Sequence, residues 1–252
     1  MYKLDHIVHF VDKPETLIDQ LSNVGVHTVL GGKHEMWGTY NTLSYFQDLS
    51  YIEFIGIFDQ QLFKKSAREP FTLHETYEKR QRKNGFNRIA LRTNTIDEDA
   101  KKLKEAQFLV YGPQVFSRKR PDGTVITWKL LHFGKKDQEI DYPFLIEWDR
   151  KDEERYEELV SSGSVSKHPL GELKIDSIVF KVNDLEKISQ WARLFNFQIE
   201  SSNKLLKMEL PNTILFFYFS ENNVNNIEEV IISGANKEKI VEIENAKYKF
   251  IL

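Results

Sequence analysis

Leu4-Asp5-His6-Ile7-Val8, Phe86-Asn87-Arg88-Ile89-Ala90 and Ile175-Asp176-Ser177-Ile178-Val179 read as three copies of one short strand, each followed by an amphipathic helix. Self-similarity at long intervals marks a fold built from repeated units. After the first strand, Pro14-Glu15 opens a helix whose Leu17, Ile18, Leu21 and Val24 form one apolar stripe, closed by Gly25. In the second copy Thr95 to Asp97 can supply the cap, and Ala100, Leu103 and Ala106 or Gln107 the face. In the third, Asp184 caps a helix carrying Leu185, Ile188, Trp191, Ala192 and Phe195.

Strand-like runs follow each helix: Asn41–Gln47 and Tyr51–Ile57, then Val125–Phe133 and Pro143–Trp148, then Lys204–Leu210 and Thr213–Phe219. The fold class is therefore α+β, built of repeated β-α-β-β-β units. Two of them, 1–60 and 85–150, make up a first domain over 1–164 with a curved cleft. A C-terminal domain over 165–252 holds the third unit and a degenerate fourth, with strands at Glu228–Ile232 and Tyr248–Leu252 and no helix. The polar stretch 151–167, with Ser161-Ser162-Gly163-Ser164, is the expected linker, its first half helical.

Composition narrows the partner. The 35 basic and 38 acidic side chains leave a net charge of −3, so no positive field gathers nucleic acid or anionic lipid, and a small molecule is the expected ligand. The start, Met1-Tyr2-Lys3-Leu4-Asp5-His6, lacks the apolar run of a signal peptide, and no segment is apolar enough to span a bilayer. Absence of Cys removes thiolate ligands and disulfides. With the Lys-, Asn-, Ile- and Phe-rich composition, this sets the expectation of a bacterial cytoplasmic protein.

Strand alternation sorts the candidate functional residues. Arg88, Ala90 and Arg92 share one face; Leu145 and Glu147 oppose Phe144, Ile146 and Trp148, whose apolar face is expected under the helices. His6 and Glu53 take the same inward side in the first unit, so His6, Glu53, Arg88 and Glu147 are expected to converge on one concave surface.

Strands that each offer one inward polar side chain resemble the vicinal oxygen chelate superfamily. More narrowly, Gly31-Gly32-Lys33-His34-Glu35-Met36-Trp37-Gly38-Thr39-Tyr40-Asn41, Tyr51-Ile52-Glu53-Phe54-Ile55, Arg120-Pro121-Asp122-Gly123 and Pro143-Phe144-Leu145-Ile146-Glu147-Trp148 are similar to the bacterial glyoxalase-like domain family, over roughly residues 1–185. The resemblance implies a divalent metal at the four strand positions. Here His6, Glu53 and Glu147 would ligate Mn, Fe, Ni or Zn, and Glu53 or Glu147 would shift to act as general base. Arg88 departs from the pattern, since a guanidinium does not ligate metal; it would instead hold an anionic ligand oxygen.

Two functions stay open. One is a metal-dependent lyase, isomerase or dioxygenase acting on a small oxygenated molecule. The other is a metal-free binding or sequestering protein in which Arg88 pairs with Glu53 or Glu147 and His6 is a hydrogen-bonded core residue. The Gly31–Asn41 segment is read as a flexible loop lining the pocket with His34 and Trp37, and Arg120 as a handle for an anionic substrate, beside the more ordinary reading of Arg118-Lys119-Arg120 as a solvated run. In the third unit Ser177 replaces His6, so that half is expected to complete the core, cover a sheet edge or form a homodimer surface.

Overall fold

The computed structural model describes residues 1–119, 123–136, 138–222 and 224–252. The first unit contains β1 (Lys3–Phe10), α1 (Thr16–Val24), β2 (Val29–His34), β3 (Thr39–Tyr45) and β4 (Tyr51–Ile57). Two short helices, α2 (Gln60–Ser66) and α3 (Leu73–Lys79), lead into the second: β5 (Gly85–Arg92), α4 (Ile96–Glu105), β6 (Leu109–Lys119), β7 (Val125–Gly134) and β8 (Phe144–Trp148). After α5 (Asp152–Ser161) come β9 (Gly171–Val182), α6 (Leu185–Phe195), β10 (Gln198–Ser201), β11 (Leu205–Leu210) and β12 (Thr213–Phe219). The helix-less remainder is β13 (Asn226–Ala235), β14 (Lys239–Ile243) and β15 (Ala246–Phe250).

The α+β architecture of repeated β-α-β-β-β units is as the sequence implies, in two curled sheets. The first runs β2-β3-β4-β1-β5-β8-β7-β6 and the second β10-β11-β12-β9-β13-β15-β14. In the first, β1 and β5 lie antiparallel at the centre and each pairs in parallel with the last strand of its own unit. The outermost strands, β2 and β6, approach each other as the sheet curls into a half-barrel.

Two of the expected helix ends are as the sequence implies, whereas Thr95 at the start of α4 makes no side-chain cap hydrogen bond and donates to Asp99 instead. Gly25 takes a left-handed conformation (φ 94°) after α1, and the Asp184 carboxylate accepts from Lys187 N–H at 3.0 Å at the start of α6. Their apolar stripes pack on the outer face of the first sheet together with the second sheet, in one core that includes Leu17, Leu103, Trp191, Ile89, Leu145, Ile178 and Tyr248. A second cluster, with Val8, Ile55, Ala90, Trp128, Phe144 and Ile146, fills the inside of the half-barrel. Every residue of β5 is buried, whereas β9 alternates between buried and partly exposed positions. The first sheet is thus covered on both faces and the second mainly on one.

Gly31–Asn41, read from its glycines as a loop, is the strand β2, a turn and the start of β3. Edge pairing of β2 with β3 overrides the weak strand propensity of its glycines. α2 and α3 carry no signal that the sequence reading recognised, being too short to show a helical stripe. Among the described residues no helix is long and apolar enough to cross a membrane.

Candidate functional site

His6 sits at the middle of the first sheet, beside Tyr51 on β4 and Ala90 on β5. A bulge in the β1–β5 register between Leu4 and His6 leaves Asp5 without its own partner and brings its carboxylate beside the His6 ring, instead of on the opposite face. His6 Nδ1 lies 2.7 Å from Asp5 Oδ1, and the ring stacks on Tyr51 at 4.6 Å. Burial alone would raise the Asp5 carboxyl, but the His6 hydrogen bond, with Arg155 and Arg92 nearby, outweighs it and holds the group at about 2. An ionised carboxylate only accepts, so Nδ1 carries the proton and Nε2 is turned to the cavity. Trp148 Nε1–H donates to the other Asp5 oxygen at 3.0 Å, and the Arg155 guanidinium lies 4.1 Å over the Trp148 ring.

Glu53 faces His6. Its Oε2 is 3.7 Å from His6 Nε2, too long for a hydrogen bond and a span that one ligand atom can bridge. Its Oε1 accepts from Asn41 Nδ2 at 2.5 Å, and Asn41 Oδ1 accepts from Arg118 at 2.7 Å. A polar chain therefore crosses the floor of the half-barrel from Arg118 on β6 through Asn41, Glu53 and His6 to Asp5. His34 Nε2 is 4.0 Å from Glu53 Oε1, and its Nδ1 pairs with Thr39. Burial, with Arg118 second, pushes His34 well below its ordinary value and keeps it neutral. Trp37, Tyr51, Ile126, Trp128, Phe144 and Trp148 wall the cavity, whose free space of about 40 Å³ holds roughly three water molecules.

Of the expected convergent set, His6 and Glu53 meet and two residues do not. Glu147 points to the outer face, where it accepts from Ile96 N–H at 3.0 Å in the first turn of α4 and lies 3.8 Å from Lys129. Phe144, Ile146 and Trp148 take the inward positions of β8. The inversion follows from two-sided burial: both faces needed apolar residues, so apolarity did not identify the helix side. Arg88 has the expected phase, but its guanidinium is spent on the carbonyl oxygens of Phe71 and Tyr142 and lies 5.8 Å from the Phe144 ring centre. It forms no ion pair with Glu53 or Glu147; two backbone carbonyls engage both of its terminal nitrogens, which overturns the expected pairing. His34 and Trp37 do line the cavity. Arg120 lies outside the described residues.

Strand phase does not single out Asn41, His74 or Trp148, which line the cavity, or Asp5, which lies behind His6, and it leaves Arg118 in a solvated run although it is buried. Asn41 stood within the quoted glycine-rich motif, the one available hint. Nothing in strand phase reveals the bulge that turns Asp5.

The metal that the resemblance implies would need at least three donors, His6, Glu53 and Glu147, and Glu147 is turned away to the first turn of α4. Here β1 and β4 supply His6 and Glu53, β5 presents Ala90 opposite His6, and β8 presents apolar side chains. Among the described residues no group of three or more His, Cys, Asp or Glu is arranged to hold an ion. The donors present do not fit the expected three-ligand site.

A glyoxalase-like domain family model matches residues 4–195. A hypothetical protein from Staphylococcus aureus has a similar structure, with 26% identity, full coverage of both chains and a TM-score of 0.87. The Mn(II)-bound glyoxalase from Novosphingobium aromaticivorans is 9% identical, with 98% of this chain and 81% of that one covered and a TM-score of 0.55. A catechol 2,3-dioxygenase is 11% identical, with 98% and 88% covered and a TM-score of 0.53. At such identities the last two show the fold alone. No curated protein matches the chain in sequence.

Proposed function

The chain belongs to the glyoxalase-like domain family, and from that premise we propose that it is an enzyme moving a proton on a small oxygenated molecule, an isomerase or lyase, with His6 and Glu53 as the acid–base pair. The observation that carries this reading is the 3.7 Å gap between His6 Nε2 and Glu53 Oε2 at the bottom of an aromatic cavity. Asp5 fixes the tautomer of His6, and Asn41 fixes the rotamer of Glu53. A carbon acid set against the pair would lose its proton to the bare His6 Nε2, giving an imidazolium that Asp5 stabilises, and the same proton would return to carbon from that nitrogen or by way of Glu53 Oε2. Arg118, turned inward beside Asn41, is positioned to favour negative charge that develops on a ligand oxygen. No step runs through a metal, because of the three expected ligands only His6 and Glu53 reach the cavity.

The test is deuterium incorporation. Small hydroxy, oxo and dicarbonyl compounds, incubated with the protein in D2O and followed by proton NMR, should include one whose C–H exchanges. His6→Gln and Glu53→Gln should each slow that exchange by about 100-fold or more. Exchange that survives both substitutions would sink the reading. Tight packing of the cavity favours one other reading, a binder without chemistry; ligand binding with no exchange by the wild-type protein would select it.

A further inference from the structure

Behind the wall formed by Trp37, Leu73, His74 and Leu130 lies a second cavity, bounded on its far side by residues 68–72 and by β6 and β7. Its free space is about 390 Å³ against about 40 Å³ inside. Only the outer one reaches the size of an ordinary small-molecule site, roughly 300 Å³ and upward. Tyr111 and Phe116 give it aromatic surface, and Trp37 packs 4.6 Å from Phe116 while standing between the two cavities.

Two buried imidazoles line it. His74 Nε2 and His132 Nδ1 have no hydrogen-bond partner, although their residues are 3% and 8% exposed. Burial pushes both down to about 3, so each is neutral and offers one N–H and one lone pair. These two atoms are themselves closed to solvent, so a ligand in the chamber meets the rings at the edges by which His74 and His132 line it. The charged residues lining the chamber, Arg68 and Glu69, are exposed and opposite in sign, so the walls carry no net preference for an anion.

We propose that the outer chamber holds the body of the ligand, an uncharged ring bearing a hydroxyl or carbonyl that His74 and His132 hydrogen-bond, while its reactive end passes Trp37 toward His6 and Glu53. The second half of this statement rests on the acid–base reading above; the chamber's occupancy does not. A hydroxyl both donates and accepts, so it suits a neutral imidazole through either the ring's lone pair or its N–H.

The probes are 4-fluorophenol, fluorobenzene and 4-fluorobenzoate, titrated against the full chain by fluorine NMR. 4-Fluorophenol should bind at least about tenfold more tightly than either of the others. His74→Phe and His132→Phe should each abolish that preference. Gln114→Trp, which plugs the chamber from an exposed rim position, should abolish binding without disturbing the core. Glu53→Gln should leave the preference unchanged. Equal affinities for the three probes would overturn the proposal. So would a preference lost in Glu53→Gln and kept in both His variants, which would put the ring in the inner cavity and leave the acid–base reading intact. A preference that follows His74 and His132 in a protein without deuterium exchange would uphold the chamber while the acid–base reading fell.

Discussion

Asp5 is the residue on which the inner site turns. It is fully buried and acts on His6, Trp148 and, at 3.6 Å, Arg92. Removing one partner of such a buried charged network leaves the others unpaired, at a cost of about 3 kcal/mol. Asp5→Ala should therefore lower the urea midpoint substantially, and an unchanged midpoint would mean the network is not what holds His6. The pH dependence has a definite sign. The folded carboxyl, near 2, binds its proton less readily than the unfolded one at 3.8, so its contribution is present above pH 4 and is lost as pH falls toward 2. The difference amounts to about 2 kcal/mol. Asp5→Asn should flatten the stability profile in that window, as measured by denaturant melts at stepped pH.

At the scale of elements, β2 and α4 explain two departures from what strand phase implied. β2 needs glycine at position 31, because a Cβ there would come within 2.0 Å of Asn41 Oδ1 and 2.5 Å of the Arg118 guanidinium. Gly31→Ala should displace the Arg118–Asn41 contact and destabilise the fold by about 1–3 kcal/mol, visible as a lower melting temperature. A melting temperature equal to wild type would show that β2 yields without strain. Glu147 belongs to α4: its carboxylate meets the amide at the positive end of the helix. Glu147→Gln should cost no more than about 1 kcal/mol and leave any deuterium exchange at wild-type rate. A loss comparable to that of Glu53→Gln would return Glu147 to the chemistry.

Over the whole molecule, the buried histidines set a pH limit. His9, whose ring contacts Tyr248 of the second sheet at 2.7 Å, joins His74 and His132 in being pushed by burial to about 3. The unfolded chain takes up these protons near 6.5 and the folded chain does not. Stability is therefore full above 6.5 and falls as pH drops toward 3. Each group removes on the order of 2 kcal/mol by pH 5. The melting temperature should fall clearly between pH 7 and pH 5, and His9→Gln should shallow that fall; a flat profile would contradict the burial of these rings. Because one core joins both sheets, the transition is expected to be a single one by circular dichroism.

The sequence by itself determined the repeat, the three helices that cover the sheets, and the pairing of His6 with Glu53 across neighbouring strands. These follow from short-range periodicity: an apolar stripe every three or four residues, or a side chain every second residue, is written locally. Tertiary structure alone decided which face of β8 looks inward, where the Arg88 guanidinium goes, and that Asp5 joins His6. Two-sided burial erased the alternation that would have oriented β8, carbonyls distant in sequence captured Arg88, and the bulge at Asp5 exists only against the register of β5. Arg118 reaches Asn41 only because the sheet curls far enough to bring β6 toward β2.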